Sequence, residues 1–126
     1  MQKTRIILYV VAVAITIGGL VYWSYYETNK PSVYSEFAQC IADSGAKFYG
    51  AFWCTHCQSQ KKMFGSAAKL LPYIECSTPD AKSLFPICTE KKIESFPTWD
   101  FADGSRQTGE MQLSALAEKT KCVLPQ

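Results

Sequence analysis

The hydrophobic pattern of the first residues differs from that of the rest of the chain. Residues Ile6–Trp23 form an unbroken run of 18 uncharged, mostly apolar residues. A run of this length is what a helix needs to cross a bilayer, and the aromatic residues within Tyr22–Tyr26 are typical of a membrane interface. The pattern predicts an uncleaved N-terminal membrane anchor over residues 1–26. The competing interpretation is a cleaved signal peptide, whose apolar core is normally about 7–15 residues long.

The charges before this run predict its orientation. Lys3 and Arg5 lie on its short N-terminal side, and the positive-inside rule therefore keeps that end in the cytoplasm. The polar residues 27–32 are predicted to be a linker, and residues 33–126 a folded domain on the extracytoplasmic side, periplasmic or lumenal. Six cysteines in so small a domain fit an oxidising compartment.

Beyond the linker, helical and strand periodicities alternate. The predicted elements are a helix from Ser32 or Ser35 to about Ser44, a strand over Ala46–Trp53, a helix over Thr55–Leu70, a strand over Pro72–Cys76, a helix starting near Pro79 or Asp80, a strand over Pro97–Ala102, a hairpin turn at Asp103-Gly104, a strand over 105–108, and a helix over Gln112–Lys121. Because Pro86 interrupts the third of these helices, we expect a break or a restart between Phe85 and Ile87. Alternation followed by a hairpin predicts an α/β domain with a mixed four-stranded sheet and helices on both faces.

Composition excludes one class of function. The 126 residues carry 13 basic and 11 acidic side chains, a net charge of +2. After the anchor and linker the two signs balance, so the predicted domain has no basic stripe for nucleic acid.

The candidate chemistry lies at Cys54 and Cys57, two cysteines separated by two residues. Such a pair can close as a disulfide or open as a dithiol, which suits two-electron thiol exchange. Cys54 is predicted to lie where a buried strand ends and a helix begins. Because unpaired N–H groups and the positive end of the helix dipole favour a thiolate there, we expect Cys54 to be reactive with a low pKa.

The chain's single histidine, His56, lies between these cysteines. A cationic His56 would stabilise the Cys54 thiolate, and therefore the reduced form, which makes the disulfide a stronger oxidant. A zinc knuckle is the competing interpretation, but no second closely spaced ligand pair is present. Covalent haem attachment is excluded because Gln58, not histidine, follows Cys57. We therefore predict no metal and no cofactor.

The motif and the element order together resemble the thioredoxin fold, over about residues 31–121. The residues that carry the resemblance are Trp53-Cys54-Thr55-His56-Cys57 and Phe96-Pro97-Thr98. More narrowly, residues 45–54, 72–76, Cys88 and 96–99 are similar to the thioredoxin-like domain that accompanies vitamin K epoxide reductase homologues in bacteria and plastids. In those families the domain takes oxidising equivalents from the membrane enzyme and passes them to folding proteins.

The resemblance also implies roles for single residues. Cys54 would be the nucleophile and Cys57 the resolving cysteine. Pro97 would occupy the family's cis-proline position, where the Phe96–Pro97 backbone pairs with an extended substrate, and Trp53 would shape the substrate surface. The sequence departs from reducing thioredoxins at Phe48, where those proteins typically carry a buried aspartate.

Four further cysteines remain to be paired. The narrower resemblance implies a structural disulfide between Cys76 and Cys88, with free buried thiols or a second, relaying redox pair as alternatives. Bonding Cys40 to Cys122 would join the two ends of the domain, but nothing in the sequence shows that those ends meet.

Together these features predict a membrane-tethered thiol-disulfide oxidoreductase that donates the Cys54–Cys57 disulfide to reduced substrate proteins. The expected potential is on the order of −120 to −200 mV, and a quinone-linked membrane oxidoreductase of the vitamin K epoxide reductase type would restore the disulfide. A first alternative is a tethered reductase or isomerase fed by a transmembrane electron donor, near −270 mV or lower. A more distant alternative is a metal-binding or docking module.

Overall fold

The structure, a computed structural model, describes residues 1–28 and 32–126, which form two compact units. The first unit is helix α1 (Gln2–Thr28), which is long and apolar enough to cross a membrane, a test of length and composition that a signal sequence also passes. The predicted anchor, residues 1–26, lies in this helix except for Met1. The predicted linker begins inside the same helix at Glu27, and its residues 29–31 lie outside the described residues.

The second unit begins, as described, at Ser32. Its elements are α2 (Ser35–Asp43), β1 (Lys47–Gly50), α3 (Thr55–Lys62), a 3-10 helix (Gly65–Leu70), β2 (Tyr73–Glu75), α4 (Pro86–Glu90), β3 (Thr98–Asp100), β4 (Arg106–Thr108) and α5 (Leu113–Thr120). The strands form one sheet in the order β2-β1-β3-β4. Strand β1 is parallel to β2 and antiparallel to β3, which is antiparallel to β4. The predicted α/β fold with a mixed four-stranded sheet is confirmed.

Side chains alternate between the two faces of the sheet, and each face covers its own hydrophobic cluster. Phe48 and Trp99 are fully buried and stack with their ring centroids 4.5 Å apart, next to apolar side chains from α2 and α5. Tyr49 faces the other way and joins Cys76 and Cys88 in a smaller cluster. Burying each of the large side chains contributes about 1.5–3 kcal/mol to folding.

Two predicted helices are wrong in extent. The helix after the cysteine pair was expected to reach Leu70, but α3 ends at Lys62 and a 3-10 helix follows. Gly65 begins that 3-10 helix with φ +56°, a left-handed conformation that an α-helix does not contain. The helix start expected near Pro79 or Asp80 is also wrong, whereas the restart expected between Phe85 and Ile87 is present, because Pro86 is the first residue of α4. Proline lacks the N–H that a first helical position leaves unused.

The hairpin between β3 and β4 has the predicted turn. Gly104 adopts φ +81°, and its N–H donates to Phe101 O at 3.0 Å. Asp103 accepts hydrogen bonds from the backbone and side chain of Ser105 and pairs with Lys119 of α5 at 3.2 Å. These contacts lower the pKa of the exposed Asp103 carboxyl to about 2, and they tie the hairpin to the last helix.

Candidate active site

The two motif cysteines lie at the start of α3, where a short turn leads out of β1. The Cys54 N–H donates to Ala51 O at 3.0 Å, and Cys54 is the N-cap of α3 with an extended backbone (φ −75°, ψ 113°). Cys54 and Cys57 are joined as a disulfide, and the Cys57 N–H donates to Cys54 Sγ at 3.1 Å. An N-terminal amide that reaches this sulfur would also stabilise it as a thiolate.

The two sulfurs differ in access. Cys54 is 6% exposed, whereas Cys57 is fully buried. Cys57 packs against Gly50 of β1, where a Cβ atom would lie 3.0 Å from Cys57 Sγ. An incoming thiolate can therefore approach Cys54 and not Cys57, which is the asymmetry that a nucleophilic and a resolving cysteine require.

A shallow groove runs beside Cys54. It is lined by Trp53, Cys54, Thr55, His56, Glu94, Ser95 and Phe96. Trp53 is half exposed; its indole N–H donates to Ser77 Oγ at 2.8 Å, and its ring meets the Phe96 ring edge-on with centroids 6.0 Å apart. Trp53 therefore forms an aromatic wall of the groove, and its contacts with Ser77 and Phe96 fix the position of its ring.

Phe96, which also lines the groove, precedes Pro97, and the Phe96–Pro97 peptide bond is cis. The Pro97 ring is buried and its carbonyl accepts from Gly109 N–H at 2.8 Å. Within residues 1–28 and 32–126, the backbone N–H and C=O of Phe96 make no hydrogen bond. An extended peptide in the groove could pair with these two groups, as one strand pairs with another.

His56 is exposed, with 72% of its side chain accessible, and it has a partner that the sequence did not indicate. Its Nδ1 lies 2.5 Å from Glu110 Oε1, so a protonated imidazole would face a carboxylate. The next residue, Met111, is bound through its backbone to the buried side chain of Gln60, which accepts from Met111 N–H at 2.7 Å and donates to Met111 O at 3.0 Å. Gln60 and His56 are four residues apart on α3 and therefore lie on the same face.

A second group of polar side chains lies on the buried side of the disulfide. The Tyr73 hydroxyl donates to Glu75 Oε2 at 2.8 Å, and Glu75 Oε1 accepts from the backbone N–H groups of Phe52 and Ser77. Lys61 Nζ lies 3.2 Å from the centroid of the Tyr73 ring. The Lys61 side chain is therefore partly buried against Tyr73.

Burial and Glu75 together set the ionisation of this group. Burial first, and then the hydrogen bond and negative charge of Glu75, raise the pKa of the Tyr73 hydroxyl far above its usual range. Burial lowers the pKa of the Lys61 ammonium, and the charge of Glu75 opposes that change. Sequence periodicity could not have identified this cluster, because it depends on the register that sets Gly50 opposite Glu75.

The other four cysteines form two disulfides and do not line the groove. Cys76 is bonded to Cys88 with a Cα–Cα distance of 5.6 Å, and Cys40 to Cys122 with a Cα–Cα distance of 5.9 Å. Both Cys76 and Cys88 are fully buried. A buried disulfide offers no access to an exchanging thiolate, which favours a structural role for this pair over a redox relay.

Metal binding receives no support from the described residues. In residues 1–28 and 32–126, no cluster of three or more His, Cys, Asp or Glu side chains is arranged to hold a metal ion.

The fold and the cysteine pair define the class of protein. The family model described as Thioredoxin matches residues 30–122, and the chain therefore belongs to the thioredoxin family. It is also similar to the thiol-disulfide oxidoreductase LTO1 of Arabidopsis thaliana, with 43% identity over 110 residues that cover 81% of this chain. The chain spans 29% of the length of that relative. The predicted thioredoxin fold is confirmed, and the bonded Cys54–Cys57 pair is the redox motif that the enzyme prediction requires.

Proposed function

We propose that this thiol-disulfide oxidoreductase is tethered to a membrane and donates its Cys54–Cys57 disulfide to reduced substrate proteins on the extracytoplasmic side. The observation that carries the donor role is the position of Cys54 beside the groove. Its sulfur receives an N-terminal amide of α3, and the unpaired backbone groups of Phe96 border the same groove. A substrate segment paired with Phe96 would bring its own cysteine close to Cys54.

The exchange follows from the unequal burial of the two cysteines. A substrate thiolate attacks Cys54 Sγ, the bond between the two sulfurs breaks, and its electron pair leaves on Cys57 Sγ. A second substrate thiolate then attacks the substrate sulfur of this mixed disulfide, and Cys54 leaves as a thiolate. The substrate gains a disulfide and the enzyme becomes a dithiol. Trp53 and Phe96 hold the substrate segment, and Pro97 sets the path of the backbone beside it.

The membrane tether is supported by α1, whose 27 residues would span about 40 Å as a helix, more than the hydrocarbon core of a bilayer. Lys3 and Arg5 at its start favour a cytoplasmic N-terminus. On the family resemblance, the partner that restores the disulfide would be a quinone-linked membrane oxidoreductase of the vitamin K epoxide reductase type. Alkaline phosphatase fused after residue 126 should be active only if the domain is exported, and an inactive but intact fusion would contradict this orientation.

Trapping experiments test the donor role. In Cys57→Ala, the free Cys54 thiolate attacks a disulfide of an oxidised substrate protein and the other substrate sulfur leaves as a thiolate, which reverses the last step of donation. Because Cys57 is absent, this mixed disulfide should persist and separate only when a reductant is added. Cys54→Ala is the matched control, because its remaining cysteine is buried, and it should trap nothing. If Cys57→Ala traps no more protein than Cys54→Ala in cells that make the chain, the donor role is refuted.

One observation favours the reverse direction as a second candidate. The carboxylate of Glu110 faces His56 and offsets the positive charge that was expected to make the disulfide a strong oxidant. A tethered reductase or isomerase fed by a transmembrane electron donor would use the same residues. Equilibration with glutathione buffers discriminates between the two, since a potential of about −120 to −200 mV supports the donor and about −270 mV or lower supports the reductase.

A further inference from the structure

Cys57 needs a proton carrier, because its sulfur changes charge where water does not reach it. The sulfur is fully buried, and a thiolate left in such a place is costly unless it is paired or neutralised. In disulfide formation, the Cys57 thiol must lose its proton before it can attack a mixed disulfide at Cys54. In disulfide donation, the Cys57 thiolate must gain one. A protein group that can take up and return this proton should therefore lie near Cys57.

Tyr73 is a side chain that lies close to Cys57 and carries an exchangeable proton. A Cβ atom on Gly50 would lie 3.0 Å from Cys57 Sγ, 2.7 Å from Tyr73 Cε2 and 3.2 Å from Tyr73 Oη. The sulfur and the phenol therefore border the same small space, which is open because residue 50 has no side chain. The sheet register places the Tyr73 ring there, since β2 runs parallel to β1 with Gly50 opposite Glu75.

The Tyr73 hydroxyl is connected to a base and lies beside a cation. It donates to Glu75 Oε2 at 2.8 Å, while Glu75 Oε1 is fixed by two backbone N–H groups. Lys61 lies one helical turn after Cys57 on α3 and covers the Tyr73 ring. Because burial raises the pKa of Tyr73, its hydroxyl keeps a proton and acts as a relay and not as the final base.

We propose that Glu75, acting through the Tyr73 hydroxyl, is the proton acceptor for Cys57, with Lys61 supplying positive charge to the thiolate. The Cys57 thiol proton passes to Tyr73 Oη as the Tyr73 hydroxyl proton passes to Glu75 Oε2. The thiolate then attacks the Cys54 sulfur of a mixed disulfide, and the partner sulfur leaves with the electron pair. Donation of the disulfide runs the same transfers backwards. The inference rests on Cys54 and Cys57 being the reacting pair, as proposed above.

Reaction of the reduced, detergent-solubilised full chain with 5,5′-dithiobis(2-nitrobenzoate) separates the two steps. Cys54 attack releases the first thionitrobenzoate, and Cys57 attack on the resulting mixed disulfide releases the second. Reduction conditions are chosen so that Cys40–Cys122 and Cys76–Cys88 stay bonded, which mass analysis verifies. In Tyr73→Phe and in Glu75→Gln, the second release should slow by about 10²-fold, the lower end of what general base catalysis provides, while the first keeps its rate.

The controls separate a relay from a structural role. Tyr49→Phe removes the hydroxyl of a side chain on the opposite face of β1 and should leave both releases unchanged. Glu75→Gln keeps an oxygen for the two backbone N–H groups, so it tests the relay even if Tyr73→Phe does not fold. If Tyr73 and Glu75 act in one relay, the double variant should be no slower than the slower single variant, whereas independent structural effects would multiply.

Two results would overturn the inference in different ways. A second release within twofold of wild type in both folded variants would overturn the relay and leave Cys54 as the nucleophile. The absence of a rapid first release in the wild-type chain would overturn the proposed function itself, and the relay with it. A normal solvent isotope effect on the second release that falls to about 1 in Glu75→Gln would support proton transfer through this pair.

Discussion

The buried amide of Gln60 is expected to be the strongest single polar contribution to the stability of the active-site end of the domain. Gln60 is fully buried on α3 and makes two hydrogen bonds to the backbone of Met111, at 2.7 and 3.0 Å. Methionine has a similar length and volume but cannot replace these bonds. The substitution Gln60→Met therefore leaves a backbone N–H and a backbone C=O without their partner while it keeps the packing.

The expected cost follows from these two groups. Each buried backbone group left unpaired destabilises the fold by about 1–3 kcal/mol. Burial of the more apolar methionine side chain offsets part of this loss. Gln60→Met should therefore lower the free energy of unfolding by about 2–3 kcal/mol. Urea denaturation followed by circular dichroism at 222 nm measures this change as a lower midpoint with an unchanged slope.

An exposed glutamine provides the matched control. Among the described residues, the exposed side chain of Gln39 on α2 donates a hydrogen bond to Asp43 on the same helix surface, so Gln39→Met should change the free energy of unfolding by no more than about 0.5 kcal/mol. Equal midpoints for Gln60→Met and Gln39→Met would refute the reasoning. They would mean that water or a rearranged segment satisfies the Met111 backbone as well as Gln60 does.

Three further predictions concern other parts of the fold. Gly50→Ala should cost about 1–3 kcal/mol of unfolding free energy in urea titrations, because its Cβ would lie 2.7 Å from Tyr73 Cε2; wild-type stability would contradict this. Replacing Cys40 and Cys122 by serine should cost about 2–4 kcal/mol, because their disulfide closes a separation of 82 residues, and an unchanged midpoint would show that it contributes nothing. The lowered pKa of Asp103 stabilises the fold above pH 4, so the destabilisation by Asp103→Asn should fade between pH 4 and 2; a difference independent of pH would exclude the ionic contribution.

The sequence was sufficient to predict those features that depend on local pattern. The alternation of elements, the cysteine pair at the end of a strand and the hairpin at Asp103-Gly104 each have a short-range cause, and all three are present. The two helices with wrongly predicted extents lie where a local sequence signal is compatible with two structures. The helix predicted to begin near Pro79 or Asp80 begins only at the expected restart, Pro86, and the pattern from Thr55 to Leu70 continues across a break that Gly65 introduces.

The contacts that complete the site could not be predicted, because they join residues distant in sequence. His56 and Glu110 are 54 residues apart and lie together because Gln60 fixes the neighbouring backbone. Tyr73 reaches the back of Cys57 because of the parallel register between β1 and β2. Local periodicity predicts neither that the segment with Glu110 and Met111 packs against α3 nor which residues of β1 and β2 lie opposite each other.

The pairing of His56 with Glu110 limits how much the motif alone can determine about the direction of electron flow. Exposed ion pairs contribute about 0.2–1 kcal/mol, and for a two-electron couple 1.4 kcal/mol corresponds to about 30 mV, so this pair can change the potential by about 4–20 mV. The gap between the weakest predicted donor potential, about −200 mV, and a reductase potential of about −270 mV corresponds to about 3 kcal/mol.

A contribution of that size must come from less exposed groups. The N-terminal amide that reaches Cys54 Sγ and the Tyr73–Glu75 pair behind Cys57 are buried or partly buried. We therefore expect Glu75→Gln to shift the redox potential of the Cys54–Cys57 pair more than Glu110→Gln does. Equilibration of each variant with glutathione buffers measures its potential. A larger shift in Glu110→Gln would contradict this ranking.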